Sequence, residues 1–322
     1  MAVDSQAMLL AAGLGTRLWP LTADRAKPAV PFLGAPLVAH SARLLAAHGF
    51  ARAVVNTHYQ AESVRAALAG ETSLAFDFSH EAEILGTAGG IAEALERGLL
   101  RADRRLLVMN AKLYTDLDLG AALAAHRVSG AAVTMVLRPN PRREEFREVL
   151  VEGGRVVGFG AKVPTRDDAL LFTGVHILEP EVLASIPRGV FSDTVANTYP
   201  PWIERGAVHA HVEPRGRWWE LSTLARYLEL HQTAAREGLC PPVILGPGAT
   251  IAPGASVTRA VLWDRASVGA AAVVEDAVLG EGVHLAPGEV CRRTVVIRRD
   301  RAPEVERGDI RGDNIYVPLP PA

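Results

Sequence analysis

From Val243 onward an apolar residue followed by a small one recurs about every six positions: Leu245-Gly246, Ile251-Ala252 and Val257, then Val268-Gly269, Leu279-Gly280 and Leu285-Ala286. Few folds accept that spacing. Each six-residue unit makes one short strand and a turn, with the apolar residue stacking inward on its neighbour, so the pattern predicts a left-handed parallel β-helix. Trp263 to Arg265 interrupt the period and predict a loop. The stretch 298–322 is charged and then proline-rich, which predicts a solvated tail or an arm that packs on a partner. The open ends of a β-helix are unpaired edges that need cover, which points to a homo-oligomer formed through the repeats.

Upstream the texture differs. Short apolar strands at 7–12, 53–56, 74–79, 106–110 and 133–138 alternate with amphipathic helices at 37–48, 61–69, 89–100 and 120–129. This alternation predicts an α/β fold, a doubly wound and mostly parallel sheet. Strands at 149–152, 156–159, 173–178 and 208–212 predict an antiparallel insertion lying over that sheet, and 221–237 reads as a closing helix. The chain thus divides into an α/β domain at 1–239, the repeat domain at 240–297 and the tail.

Composition excludes several classes. The 34 Lys+Arg residues balance 36 Asp+Glu, which argues against a general electrostatic hold on nucleic acid or an anionic membrane. At 49% apolar and 22% charged the chain is globular. No apolar run reaches the ~18 residues of a membrane span. Met1 to Gln6 carry no basic region ahead of the short apolar stretch, so no secretory signal is expected and a cytoplasmic location is. Cys240 and Cys291 are isolated and read as reduced, structural thiols. Among the basic residues only Lys27, Lys112 and Lys162 are lysines. An ammonium is a compact point charge, chemically unlike a planar guanidinium fork, so their placement carries information.

Directly after the first strand stands Gly13-Leu14-Gly15-Thr16-Arg17-Leu18-Trp19-Pro20-Leu21-Thr22, then Lys27-Pro28. A glycine-rich turn at the C-terminal end of a first parallel strand exposes backbone N–H groups to phosphate oxygens. Two common phosphate motifs fail on spacing: Leu18 occupies the third glycine position of a dinucleotide fingerprint, and no Gly-Lys-Ser/Thr follows. The longer string resembles the signature of the sugar-1-phosphate nucleotidyltransferases. Leu85-Gly86-Thr87-Ala88-Gly89-Gly90 is similar to that family's second nucleotide loop, Phe172-Thr173-Gly174-Val175 to its sugar-side strand, and the hexapeptide region to a common C-terminal addition. Asn56-Thr57-His58-Tyr59 and the repeats lean towards the mannose-1-phosphate guanylyltransferase branch. The segment before Asp116-Leu117-Asp118 is also similar to bacterial uridylyltransferases acting on amino-sugar 1-phosphates.

The resemblance implies a Rossmann-like nucleotidyltransferase fold that joins a nucleoside triphosphate, GTP by preference, to a sugar 1-phosphate such as mannose 1-phosphate, with Mg²⁺ as cofactor. It implies that Leu10, Ala12, Gly13, Gly15, Thr16, Thr87 and Asn110 contact the nucleotide, with the backbone of Gly13, Gly15 and Thr16 around the triphosphate. Arg17 would reach the β- and γ-phosphates, and Lys27 would neutralise the α-phosphate. Gly86 and Gly89 would line the base pocket, Lys162 would hold the sugar's phosphate, and Thr173 and Gly174 would face the sugar.

Departures from the family pattern fall on the metal and sugar positions. The family's metal carboxylate ends an Asn-Gly-Asp string, and this chain reads Asn110-Ala111-Lys112. Its second lies in Trp-x-Asp-Ile-Gly-Thr-Pro, replaced by Trp218-Trp219-Glu220-Leu221-Ser222-Thr223-Leu224. The sugar-side Glu-Lys-Pro is Ala161-Lys162-Val163, and Arg147 follows Phe146 in place of glycine. A hard divalent cation wants anionic or carbonyl oxygen, and an ammonium repels it. Aspartate with bound Mg²⁺ carries about +1 of local charge, as does a lysine alone, so Lys112 is expected to touch the phosphates directly, with weakened or unusual metal dependence. Glu220 and Asp116 are the remaining carboxylate candidates for a metal. Asp116 and Asp118 also read as helix N-caps, and Glu220 as a surface carboxylate. The alternative function is a catalytically impaired nucleotide or nucleotide-sugar binding protein, or a regulatory subunit of the same fold. An acyltransferase reading rests only on His284, the one histidine of the repeats, and fewer than ten coils fit the length.

Overall fold

The computed structural model describes residues 4–140, 145–164, 166–302 and 304–320. The first residues of the stretch read for a signal, Met1 to Val3, and the end of the expected tail, Pro321 and Ala322, lie outside them. The chain forms two compact units. The first comprises residues 1–13, 38–61 and 68–218, and the second residues 14–37, 62–67 and 219–322.

The first unit is built on a nine-stranded sheet. Its strands are β1 (Gln6–Leu10), β2 (Arg52–Thr57), β3 (Ala75–His80), β4 (Leu106–Asn110), β5 (Val133–Pro139), β6 (Glu148–Glu152), β7 (Arg155–Phe159), β8 (Leu170–Leu178) and β9 (Val208–Val212). The order is β3-β2-β1-β4-β8-β5-β9-β7-β6. Strands β1 and β4 bury Ala7 to Leu9 and Leu106 to Met109, as continuous apolar runs in a sheet covered on both faces must. The first four strands run parallel, in the registers Met8↔Val54 and Met8↔Val108.

The expected antiparallel insertion does not lie over this sheet; its strands extend it. Strand β8 inserts antiparallel between β4 and β5, through Val175↔Met109 and Leu178↔Val133. Strand β9 then pairs parallel with β5 through Val208↔Val133, and the β6–β7 hairpin closes that side. The sheet is therefore mixed rather than mostly parallel. The physical reason is edge satisfaction: the open edges of β4 and β5 carry N–H and C=O groups that need partners, and β8 supplies both.

Strand β1 sits between β2 and β4, so the chain departs to one side of it while β4 lies on the other. That reversal opens a crevice at the carboxyl ends of the strands. Leu10 is in register with both Asn56 and Asn110 there. The helix predicted at 89–100 spans Gly86–Glu96, three residues early, because Ala88 and Gly89 donate their N–H groups to Ser192 O at 2.9 and 3.0 Å. Asp118 caps Leu119–Ser129, its carboxylate accepting from Ala121 N at 2.9 Å.

In the second unit the repeats form stacked coils with three faces. One face pairs Val243–Leu245, Ala260–Leu262, Val278–Leu279 and Thr294–Arg298 in parallel. The second stacks Thr250–Ile251, Ser267–Val268 and His284–Leu285, and the third Ser256–Thr258, Val273–Glu275 and Val290–Arg292. Partners such as Leu245↔Leu262, Val268↔Leu285 and Val274↔Cys291 all stand seventeen residues apart. Each coil thus takes two steps of six and one of five. Trp263 to Arg265 are consequently no inserted loop: the five-residue step runs from Val257 to Leu262, just ahead of them, and they turn a six-residue corner between Leu262 and Val268, with Arg265 at φ 57° and Trp263 buried, its Nε1 donating to Tyr227 OH at 3.0 Å. Leu262, Val268, Val274, Leu279, Leu285, Cys291 and Val296 fill the interior.

The stretch expected as a solvated tail or partner arm is a folded element of this unit. Asn314–Pro318 pairs antiparallel with Thr294–Arg298 in the register Val296↔Tyr316, and Asp309–Arg311 folds back on it. Ile315, Tyr316 and Val317 are buried. A hairpin here covers the last strand edge of the stack, which a solvated tail would leave open. No described helix is long and apolar enough to cross a membrane.

Candidate nucleotide site

The first unit carries the loop's root. Ala111 N donates to Leu10 O at 3.0 Å, and Ala11 N donates to Asn56 Oδ1 at 2.7 Å. Asn56 Nδ2 in turn donates to Glu81 Oε1 at 2.6 Å, while Glu81 Oε2 accepts from Leu85 N at 3.0 Å. Glu81 is 1% exposed. A Cβ at Gly90 would sit 2.6 Å from Glu81 Oε1 and 2.7 Å from Asn56 Nδ2, so glycine is what admits this pair. The Asn56–Glu81 pair pins the end of β1 to the start of the Leu85–Gly90 loop. Sequence reasoning read Asn56 only as a branch mark and passed over Glu81; no local pattern separates a buried carboxylate from an exposed one.

Leu10, Ala12, Gly13 and Asn110 fall together at the carboxyl ends of β1 and β4, with Gly13 exposed. Gly174, at φ 80°, lies against the side chain of Asn110, where a Cβ would overlap the amide. One expected nucleotide residue and one expected sugar residue are therefore adjacent. Thr173 is buried, and its Oγ1 donates to Val136 O at 2.7 Å while its own carbonyl accepts from Trp218 Nε1 at 2.7 Å. That hydroxyl holds the strand rather than facing a crevice.

The second loop is also engaged by its own unit. Gly86, at φ 77°, and Gly89 have their Cβ-free faces against Ser192 O and Val190 O. Thr87 Oγ1 donates to Asp193 Oδ2 at 2.9 Å and accepts from Thr194 N at 2.8 Å. These glycines serve close approach of the 190–192 segment, a partner that sequence separation concealed. Lys162 is exposed on the loop beyond β7, and Lys112 is half-buried in the turn after β4. Asp116 pairs with Arg217, Oδ2 to Nη1 at 2.8 Å, and also accepts from the Arg217 backbone N. It caps no helix; Asp118 does.

The second unit carries the rest of the loop. Gly15 takes φ 68° ahead of the single turn Thr16–Leu18, and a Cβ there would lie 2.9 Å from Lys27 Cβ. Thr22 Oγ1 donates to Gly15 O at 3.2 Å. Lys27 therefore lies directly beneath the loop, its side chain 8% exposed, while Arg17 stands out at 67%. Glu220 joins them: Lys27 Nζ is 3.5 Å from Glu220 Oε1, and Arg17 Nη2 is 4.0 Å from the same oxygen. Glu220 is 7% exposed, so it is no surface carboxylate.

Chemically, the Gly15–Arg17 turn of the second unit, over a buried ammonium and with an exposed guanidinium beside it, offers the N–H groups and positive charge that a polyanion needs. The carboxylates expected to hold Mg²⁺ do not fit that task. Glu220 is engaged by Lys27 and Arg17, Asp116 is tied to Arg217, and position 112 presents an ammonium. Among the described residues no three His, Cys, Asp or Glu side chains gather as a metal group.

A family model described as Nucleotidyl transferase matches residues 6–237. A Synechocystis UTP–glucose-1-phosphate uridylyltransferase is 28% identical over 282 residues, spanning 82% of this chain and 72% of its own length. A Mycobacterium tuberculosis mannose-1-phosphate guanylyltransferase is 28% identical over 302 residues, spanning 89% and 83%. A solved Bacillus anthracis chain described as a glucose-1-phosphate thymidylyltransferase shares the fold, with a TM-score of 0.61 at 16% identity, over 71% of this chain and 94% of that one. With the loop at the end of β1 and a family match over most of its length, the chain belongs to the nucleotidyl transferase family, among the sugar-1-phosphate nucleotidyltransferases.

Proposed function

We propose that the protein transfers a nucleotidyl group from a nucleoside triphosphate to a sugar 1-phosphate, with GTP and mannose 1-phosphate as the favoured pair. The observation that carries this reading is the exposed Gly13–Arg17 turn packed on Lys27. The guanylyltransferase relative that spans 89% of the chain supports the substrate preference. An oxygen of the sugar phosphate attacks the α-phosphorus in line, the bond from that phosphorus to the α–β bridging oxygen breaks, and pyrophosphate leaves with the electron pair. Such transfers depend on positioning and charge stabilisation. Backbone N–H groups of Gly13, Gly15 and Thr16 hold the triphosphate, Arg17 its outer phosphates, and Lys27 the α-phosphate. Lys162 orients the sugar's phosphate. Glu220 holds Lys27 in place, and Lys112 contacts the phosphates in place of a metal-bound carboxylate.

The wider proposal includes a left-handed β-helix in the coils over 240–297, a homo-oligomer formed through it, and a cytoplasmic setting in keeping with two free thiols. A second reading, nucleotide binding without turnover, draws on the same engaged carboxylates. Pyrophosphate release from GTP, UTP and dTTP with mannose or glucose 1-phosphate, in Mg²⁺ and in chelator, separates the two. We expect GTP with mannose 1-phosphate to react and chelator to leave most of the rate, and Lys112→Asp to make turnover Mg²⁺-dependent. Binding without release under every condition favours the second reading, and an unchanged metal response in Lys112→Asp overturns the role given to Lys112.

A further inference from the structure

The segment that carries Arg17 and Lys27 has little regular structure of its own. Thr16–Leu18 and Lys27–Ala29 are single turns, and the residue before Lys27, Ala26, offers no side-chain cap. Yet an ammonium acting on a phosphate must be held to about 0.5 Å. Other parts of the second unit provide the hold. Arg25 Nη2 is 2.6 Å from Glu281 Oε2 and its Nε 2.9 Å from Asp24 Oδ1. Arg301 closes the figure, Nη1 at 2.5 Å from Asp24 Oδ2 and Nη2 at 3.0 Å from Glu281 Oε1. Asp24, Arg25, Glu281 and Arg301 thus alternate in sign around a ring.

Side chains in this ring are between 16% and 32% exposed, which places it between surface pairs and fully buried ones. Burial alone would raise the Asp24 pKa, but hydrogen bonds and charge from Arg25 and Arg301 bring it below the ordinary value. The ring has supports. The Arg25 guanidinium lies 4.9 Å from the centre of the Trp263 ring, and Arg265 adds a third guanidinium on Glu281. Tyr227 OH, which accepts from Trp263, donates to Pro31 O at 2.7 Å. Ala26 N donates to Ser63 Oγ at 2.9 Å. A cavity of about 490 Å³ flanks the ring on the side of Pro36, Ser63 and Asp264.

We propose that Glu281 of the coils and Arg301 of the turn that follows them are positioning residues for Lys27, so that the coils and that turn act in nucleotidyl transfer through the 24–27 segment. This rests on the functional reading above for its kinetic part. Removing one charge from the ring frees the chain two residues before Lys27, and the ammonium then no longer meets the transition state in one place.

The test compares Glu281→Gln and Arg301→Gln with Glu275→Gln, a coil carboxylate whose partners Arg259 and Arg292 lie within the coils. We expect the two ring variants to lose at least tenfold in kcat with the KM for sugar 1-phosphate unchanged, Glu281→Asp to recover part of that loss, and Glu275→Gln to match the parent. Hydrogen exchange over residues 24–30 supplies a readout independent of turnover: it should rise at least tenfold in the ring variants alone. If exchange there is unchanged, or rises as much in Glu275→Gln, the positioning role is overturned. A parent protein with no turnover defeats the functional reading instead, and exchange still decides whether the coils hold the segment.

Discussion

Lys27 and Glu220 are separated by 193 positions in the chain and meet 3.5 Å apart with under a tenth of either side chain exposed. Breaking a buried pair from one side costs about 3 kcal/mol, because the remaining charge stays buried with less to offset its desolvation. Lys27→Met should therefore lower unfolding stability by about that much, and Lys27→Met with Glu220→Met should recover most of it. Turnover should stay down by at least about a hundredfold in both, since the charge proposed to face the α-phosphate is gone from each. Urea unfolding beside a pyrophosphate assay reads the cycle, and a double variant as unstable as the single one would show that the pair is not what couples them. Lys27 was legible in the sequence because its string with Gly13 to Thr22 is unbroken. Its partner was legible only as a carboxylate out of pattern, and its pairing depends on tertiary contact. Glu81 left no readable signal at all.

At the level of elements, the coils and their terminal hairpin show how far periodicity reaches. The six-residue pattern located the strands, but the five-residue step from Val257 to Leu262 made the stretch at Trp263 look like a break, because a short step and an insertion both shift the register. The hairpin was hidden by composition: charged and proline-rich residues surround the apolar stretch Asn314–Pro318 that covers the last coil. Ile315 is fully buried there, so Ile315→Ala should cost about 2–4 kcal/mol by denaturant unfolding. A cost within 0.5 kcal/mol would mean that the hairpin leaves the stack readily. In the α/β part, each predicted strand of 7–138 is present. The destination of the strands from 149 to 212 was not legible, since an apolar strand carries no mark saying which edge it will join.

On the scale of the whole molecule, two buried histidines link stability to pH. Burial lowers the His231 pKa to about 4 and that of His176 to about 3, against about 6.5 in an unfolded chain. The unfolded state then binds more protons below pH 6.5, so stability is full above that pH and falls as pH drops towards 4, by up to about 1.4 kcal/mol per unit for each histidine. Melting temperatures between pH 7.5 and 4.5 should fall accordingly, and His231→Leu should flatten the slope while lowering stability at neutral pH. An equal slope in that variant would assign the acid sensitivity elsewhere. The sequence by itself determined the α/β alternation, the glycine-rich loop after the first strand, the stacked coils and the family, because each is written in residues close together along the chain. Tertiary structure alone decided the mixed sheet order, the Asn56–Glu81 pair, the engagement of Glu220 by Lys27 and Arg17, and the charge ring from Asp24 to Arg301. Each of those joins distant stretches, where edge hydrogen bonds and the desolvation of charges select partners that local pattern does not encode.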